Sequence, residues 1–316
     1  LPMAKGEGEG ADWPALRLSI RNGTGSATVT YTDYKAARKA TTGKAYHLYA
    51  THNGNALAFV GPGVIEIPDG SVDGSGEGIL ADTRDGNLYA TVKIGTQTWM
   101  QENLKYLPQV NNLLPLPTSY DEMRYFVYNF HTAPILYQAK ETDNYKTYGV
   151  LYNWAAAMNG APSSNTGSGV SSGVQGVCPP GWHIPSYEEW NDLGKYMTAQ
   201  KWTYDGTGYG PWSRIAKAMA TGRPDWNAST VTGAPGNDGD GYDAKVNISK
   251  FSALPGGSAD GTGNFANDLG KKALFWTSRE YNTTLAYRRE IKHDSPAVEY
   301  EYLSKRGGMS VRCVKD

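Results

Sequence analysis

Cys178 and Cys313 are the only two cysteines in a chain of 316 residues, and they lie 135 positions apart. Neither belongs to a CxxC pair or to a Cys/His cluster with metal spacing, so their natural chemistry is oxidation to a single long-range disulfide. The alternative is a pair of buried free thiols. In the chain-entropy view, closing a loop of this size stabilises a fold by roughly 4–5 kcal/mol, and the bond implies an oxidising compartment. Asn237-Asp-Gly-Asp-Gly-Tyr-Asp243 gathers oxygen ligands within a few residues, between glycines that permit sharp turning. Asp238, Asp240 and Asp243 are therefore the candidate calcium ligands, and calcium is the one cofactor the chain suggests. No Glu stands at the closing position of an EF-hand, which leaves a solvated turn as the other reading.

Trp202, Tyr204, Tyr209, Trp212, Trp226 and Tyr242 fall among glycines and polar residues instead of on an apolar period. Flat aromatic faces beside Asp and Asn can hold sugar rings, and aromatic anchors dominate protein interfaces, so these six are expected to line a ligand-binding surface. The alternative is that they pin long loops to the body. Catalysis has little support. The five histidines are scattered, and there is no HExxH or GxSxG pattern. Carboxylate pairs such as Glu188/Glu189 and Glu299/Glu301 say nothing about glycoside hydrolysis without a cleft. No catalytic residue is assigned and no enzyme is expected.

The net charge of −1 provides no basic footprint for nucleic acid. With 38 glycines, 22 tyrosines, 9 tryptophans and only 19% charged residues, the composition describes a loop-rich, aromatic-rich protein. No apolar run approaches the roughly 20 residues of a membrane helix. A start at Leu1 leaves room for a removed leader, and with it a lipid anchor.

The elements that must position these residues are read from period and punctuation. Residues 1–12 form a glycine-rich lead-in. Residues 13–68 alternate with period two between turns and read as a small all-β domain, and 69–80 read as a Gly/Ser/Asp linker. The second domain, 81–316, opens with a hairpin turning at Gly95-Thr96. Leu151, Trp154, Ala155 and Met158 predict a helix over 148–158. Ser186 and Glu189 form a capping box ahead of a helix carrying Tyr187, Trp190, Leu193 and Met197. A third helix is expected over 213–222. After a long irregular stretch, strands are expected at 274–278, 286–291, 297–303 and 309–314. The fold class is α+β: a hairpin, two or three helices, an antiparallel sheet and long loops.

Several segments carry a resemblance. Asp82-Thr-Arg-Asp-Gly-Asn-Leu-Tyr89, Val92-Lys-Ile-Gly-Thr-Gln-Thr-Trp-Met-Gln-Glu-Asn-Leu104, Tyr148-Gly-Val-Leu-Tyr-Asn-Trp-Ala-Ala156, Cys178-Pro-Pro-Gly-Trp-His-Ile-Pro185, Phe251-Ser-Ala-Leu-Pro-Gly-Gly257, Phe275-Trp-Thr-Ser278 and Val311-Arg-Cys-Val314 occur in an order similar to the Fibrobacter succinogenes major paralogous domain. The resemblance covers about 81–316. It implies a C-type lectin-like module, also resembling that of formylglycine-generating enzymes, in a surface or secreted protein of Bacteroidetes or Fibrobacteres. A β domain ahead of such a module resembles fimbrial-tip subunits. The expected role is non-catalytic cell adhesion or ligand binding, with glycan or host and matrix protein as partner and carbohydrate binding through long loops. The expected location is extracellular or on the outer-membrane surface. The alternatives are a pilus subunit docking by strand addition and a formylglycine-generating-enzyme-like oxidase. The last lacks the paired active-site cysteines. Trp190-Asn191-Asp192 spells a lectin calcium triplet but lies in the capped helix, so no metal is assigned to it. Trp99, Trp154, Trp182, Trp190 and Trp276 are expected in the core, with Asn103, Arg279 and Arg312 as buried polar anchors.

Overall fold

A computed structural model describes residues 77–131, 135–163, 173–208 and 212–316, and before them the backbones of short strands. The chain divides into two compact units, Leu1–Val72 and Asp73–Asp316. In the first, β1 (Leu16–Asn22) pairs with β2 (Gly25–Tyr31), β3 (Ala45–Tyr46) with β6 (Glu66–Ile67), and β4 (Ala50–His52) with β5 (Leu57–Phe59), all antiparallel.

The second unit is mixed, mostly sheet with few helices. It begins with β7 (Glu77–Ala81), β8 (Leu88–Ile94) and β9 (Gln97–Met100). Residues 77–80 thus belong to a strand, not to the end of the expected 69–80 linker, because their backbone pairs with β8 from Glu77↔Val92 to Ala81↔Leu88. The β8–β9 hairpin turns at Gly95, whose φ of 65° suits glycine. β10 (Tyr125–Phe126) is followed by α1 (Leu136–Glu141), α2 (Asp143–Tyr148), β11 (Leu151–Tyr152) and α3 (Trp154–Met158).

The span 148–158, expected as a single helix, therefore holds the last residue of α2, the strand β11 and the short helix α3. Gly149 leaves the helical region at φ 75°, Leu151 and Tyr152 pair with β10, and Asn153 caps a new helix by accepting the Ala156 N–H. β12 (Trp182–His183) leads into α4 (Tyr187–Ala199), which starts at the Ser186/Glu189 capping box. The third helix, α5, is a single turn, Ala216–Met219, where 213–222 was expected. Its short span ends where Ala220 bridges to Ala253 and Thr221 donates to the Ala253 carbonyl.

The chain closes with β13 (Lys272–Glu280), β14 (Leu285–Lys292), β15 (Val298–Ser304) and β16 (Val314–Lys315). The five-stranded antiparallel sheet has the order β12-β16-β9-β8-β7, and the three-stranded sheet the order β13-β14-β15. The strand expected over 309–314 is mostly bridges. Met309 meets Tyr152 and Ser310 meets Phe275, and only Val314 and Lys315 enter the large sheet. This terminal segment therefore sews β11, the small sheet and the large sheet together.

Cys178 and Cys313 form the disulfide, with Cα atoms 5.9 Å apart and both residues fully buried. It fastens the segment before α4 to the residue before β16. Trp99, Trp154, Trp182, Trp190 and Trp276 are all buried. Trp99, Trp190, Phe251 and Phe275 pack as one aromatic cluster with ring centroids 4.9–5.9 Å apart. Such pairs stabilise by about 0.5–1.5 kcal/mol beyond their area. Arg312, also fully buried, lies 4.8 Å from the Phe251 ring and donates to Asn103 Oδ1 and to the carbonyls of Met100, Phe251 and Ser252. Burial lowers its pKa to about 9, which leaves it charged at neutral pH. Among the described residues no carboxylate forms a salt bridge with it, though Glu102 favours its charge from nearby, and carbonyl oxygens accept from the guanidinium, so Asn103 and Arg312 tie the 251–252 loop to the sheet. Among the described residues no helix is long and apolar enough to cross a membrane.

Candidate functional site

Of the six aromatics expected to line a ligand surface, Trp226 is buried and Trp202, Tyr204, Trp212 and Tyr242 are half-buried. Trp226 is fully buried, its Nε1–H donating to Thr221 Oγ1 at 3.2 Å, so it fills core and cannot face a ligand. Trp202 packs edge-on against Tyr196 with ring centroids 5.8 Å apart, and Tyr204 packs against Tyr242 at 5.1 Å. Trp212 lies against α4 at Gly194, where an added Cβ would come within 2.5 Å of its ring. Tyr209 lies outside the described residues. Trp202 and Trp212 thus pack against α4, Trp226 fills core, and Tyr204 and Tyr242 pack on each other.

Asp238, Asp240 and Asp243 do not converge as calcium ligands either. Among the described residues no group of three or more His, Cys, Asp or Glu could hold a metal ion. A protein cation takes that place. Lys217, fully buried on α5, donates to Asp240 Oδ1 at 2.7 Å and to the Asn237 carbonyl at 2.6 Å, with Asp243 at 3.8 Å. Asp238 turns to Arg223 at 3.8 Å. Burial opposes the charge on Asp240, but Lys217 and the N–H groups of Gly233 and Tyr242 outweigh it and hold the carboxyl below its usual range.

Among the described histidines, His183 has the most organised surroundings. Its Nδ1 lies 2.6 Å from Asp316 Oδ1 and its Nε2 lies 2.6 Å from Glu189 Oε1. Burial pulls the imidazole pKa down, yet the two carboxylates more than reverse this and raise it. A ring gripped at both nitrogens has no lone pair left for general-base work. It clamps β12, the start of α4 and the C-terminal Asp316 together.

A different surface gathers binding chemistry. The antiparallel register puts Tyr287 opposite Tyr302 and Arg289 opposite Tyr300 on one face of β14 and β15. At the inner end of this face Arg289, 1% exposed, lies under α4 and Trp212. Its guanidinium is 4.0 Å from the Trp212 ring and 4.6 Å from Tyr300, and its Nη2 donates to Asn191 Oδ1 at 2.9 Å. Burial lowers its pKa to about 10. Asn191, from the lectin-like triplet, therefore serves a buried arginine.

Outward, Tyr300 stacks on Tyr287 at 4.6 Å and Tyr187 tilts against Tyr300 at 4.6 Å. Tyr281 stacks on Tyr302 at 4.5 Å with planes 5° apart. Tyr281 and Tyr302 are 49% and 46% exposed. Arg279, half-buried, lies over Tyr187 and Tyr287 at 5.6 and 5.7 Å. Among the described residues no carboxylate pairs with the Arg279 guanidinium, and no hydrogen bond engages the hydroxyls of Tyr187, Tyr281, Tyr287, Tyr300 or Tyr302. Arg279 is thus a rim cation, less buried than the anchor expected. The result is a rigid aromatic face, seated on sheet and helix, with free phenols and a free guanidinium, the residue types that dominate binding hot spots. Sequence reasoning missed it, although period two in Val-Glu-Tyr-Glu-Tyr302 already put Tyr300 and Tyr302 on one side.

Comparison with known proteins adds a family. The family model of the Fibrobacter succinogenes major domain matches residues 92–315, a span that runs from the end of β8 through β16 and holds the disulfide and the tyrosine face. No curated protein and no solved structure matches the chain. With well over half of its residues inside that match, the chain belongs to the Fibrobacter succinogenes major domain family.

Proposed function

We propose that this chain is a non-catalytic ligand-binding protein of the cell surface, an adhesion component that recognises glycan or protein. Its contact surface is the face built by Tyr281, Tyr287, Tyr300, Tyr302 and Arg279. The observation that carries the reading is the exposed Tyr281/Tyr302 stack beside an unpaired guanidinium. Such rings offer large area at low entropic cost, and their hydroxyls supply hydrogen bonds to a polar partner. The disulfide supports an oxidising, extracellular or outer-membrane location. The capped helix packed on antiparallel sheets and the closure by the terminal strand support a C-type lectin-like reading of the module. Both cysteines are bonded to each other and His183 is held at both nitrogens, which supports binding over catalysis.

The test is a panel of glycans and matrix proteins probed with the full chain and with a Tyr281→Ala/Tyr302→Ala variant. The reading expects a ligand whose affinity falls about tenfold or more in the variant, as for a hot-spot pair of about 2 kcal/mol. Equal binding by both proteins would overturn it.

A further inference from the structure

A concave site lies on other elements. A cavity of about 460 Å³ opens among the loop before β10, the segment after it, and the loop ahead of β13. Asn112, Asn129 and Asn264 supply its polar wall, and Phe265, Leu114 and His131 supply the rest. The volume falls within the roughly 300–1,000 Å³ of small-molecule sites.

Its chemistry is narrow. Among the described residues no hydrogen bond engages the side-chain amides of Asn112 and Asn129, while that of Asn264 meets Thr262 at 3.4 Å and the Asp260 carboxylate. Each amide has two donors and a carbonyl acceptor, which match the mixed donor and acceptor character of vicinal hydroxyls. Phe265 rests against Tyr128 with ring centroids 5.0 Å apart and forms an apolar wall. Opposite, Leu114 is 60% exposed and sits tight against Gly263, where φ is +103° and an added Cβ would come within 2.6 Å of the leucine. Only glycine lets that wall close.

Among the described residues no Lys, Arg, Asp or Glu lines the cavity, and His131 is its one titratable side chain. The nearby carboxylate, Asp260, is taken by the N–H groups of Thr262 and Asn264. A charged ligand would lose water here with no permanently charged partner, whereas an uncharged polyol would exchange water for amides. We infer that this cavity is a binding site for a neutral saccharide of one or two pyranose rings, held by the amides of Asn112 and Asn129 with a C–H face against Phe265 and Leu114. The inference stands apart from the tyrosine face, with which the cavity shares no residue.

The experiment is ligand-observed NMR and calorimetry on the full chain with cellobiose, lactose, mannobiose and chitobiose, and with glucuronate as the acidic comparison. Asn129→Asp is the informative variant. It is isosteric, tolerates the left-handed φ of 58° at that exposed position, and adds one negative charge. At least one neutral disaccharide should bind with a dissociation constant of about 1 mM or tighter. The affinity should drop about tenfold or more in Asn129→Asp and in Phe265→Leu, and should be unchanged in Lys195→Ala, an exposed position on α4. Absence of binding by all four disaccharides at about 10 mM, equal binding by Asn129→Asp, or preference for glucuronate would each overturn the inference.

Discussion

Replacing Asp240 by Asn tests whether a lysine, in place of a metal ion, organises the acidic loop. Lys217 is fully buried and the Asp240 side chain is 3% exposed, so their ion pair is among the most buried in the described protein. Asparagine keeps one oxygen but turns an NH₂ toward either the ammonium or the Gly233 N–H, which now donates to Oδ2 at 2.7 Å. Breaking a buried pair from one side costs about 3–5 kcal/mol, and the retained Asn237 carbonyl argues for the lower end, about 3 kcal/mol. Urea denaturation of the unit containing the pair should show this loss. Lys217→Met combined with Asp240→Asn should cost less than the sum of the single changes, by a coupling of about 2 kcal/mol. The contribution also has a pH signature. Because the folded Asp240 value is depressed, stability is full above the ordinary 3.8 and is lost as pH falls through the native value. Calcium should leave the melting temperature unchanged. A loss under about 0.5 kcal/mol in Asp240→Asn, the range of surface changes, or a calcium-dependent rise in melting, would refute the reasoning.

Further expectations follow from the same geometry. Cys178→Ala/Cys313→Ala opens a 135-residue span and should cost up to about 5 kcal/mol, or about 10–20 °C of melting temperature by calorimetry; a drop of a degree or two would contradict the staple. His183→Gln should destabilise the protein at acid pH. The raised native value means the histidine's contribution is full below 6.5 and fades as pH rises through the folded value, so variant and wild type should converge in alkaline melts. Gly194→Val should push Trp212 off Arg289 and cost about 1–3 kcal/mol, with a changed near-ultraviolet dichroism band; an unaltered spectrum would show that the helix does not seat that ring.

What could be read from residues alone was mostly local. The Ser186/Glu189 box, the Gly95 turn and the cysteine pair each carry their signal within a few residues or in a count of two. The split of the 148–158 helix was also written locally, in Gly149 and in Asn153 ahead of Trp-Ala-Ala-Ala-Met158, but the apolar spacing of Leu151, Trp154, Ala155 and Met158 masked it. The acidic loop was misread because its partner, Lys217, lies 23 residues from Asp240, and no spacing rule joins them. Similarly, Tyr281, Tyr287 and Tyr302 meet only through the register of three strands, which depends on the bulge between Trp276 and Glu280. The loop aromatics were visible as rings, but burial, which a sequence does not show, assigned Trp226 to the core.

The central claim, that the sheet-borne tyrosine face makes the contact, is tested most directly by hydroxyl-radical footprinting of the full chain with and without a ligand recovered from the binding panel. The account predicts that Tyr281, Tyr287 and Tyr302 become protected while Tyr204 and Tyr242 keep their reactivity. Protection confined to the loop aromatics, with Tyr281 and Tyr302 unchanged, would contradict it.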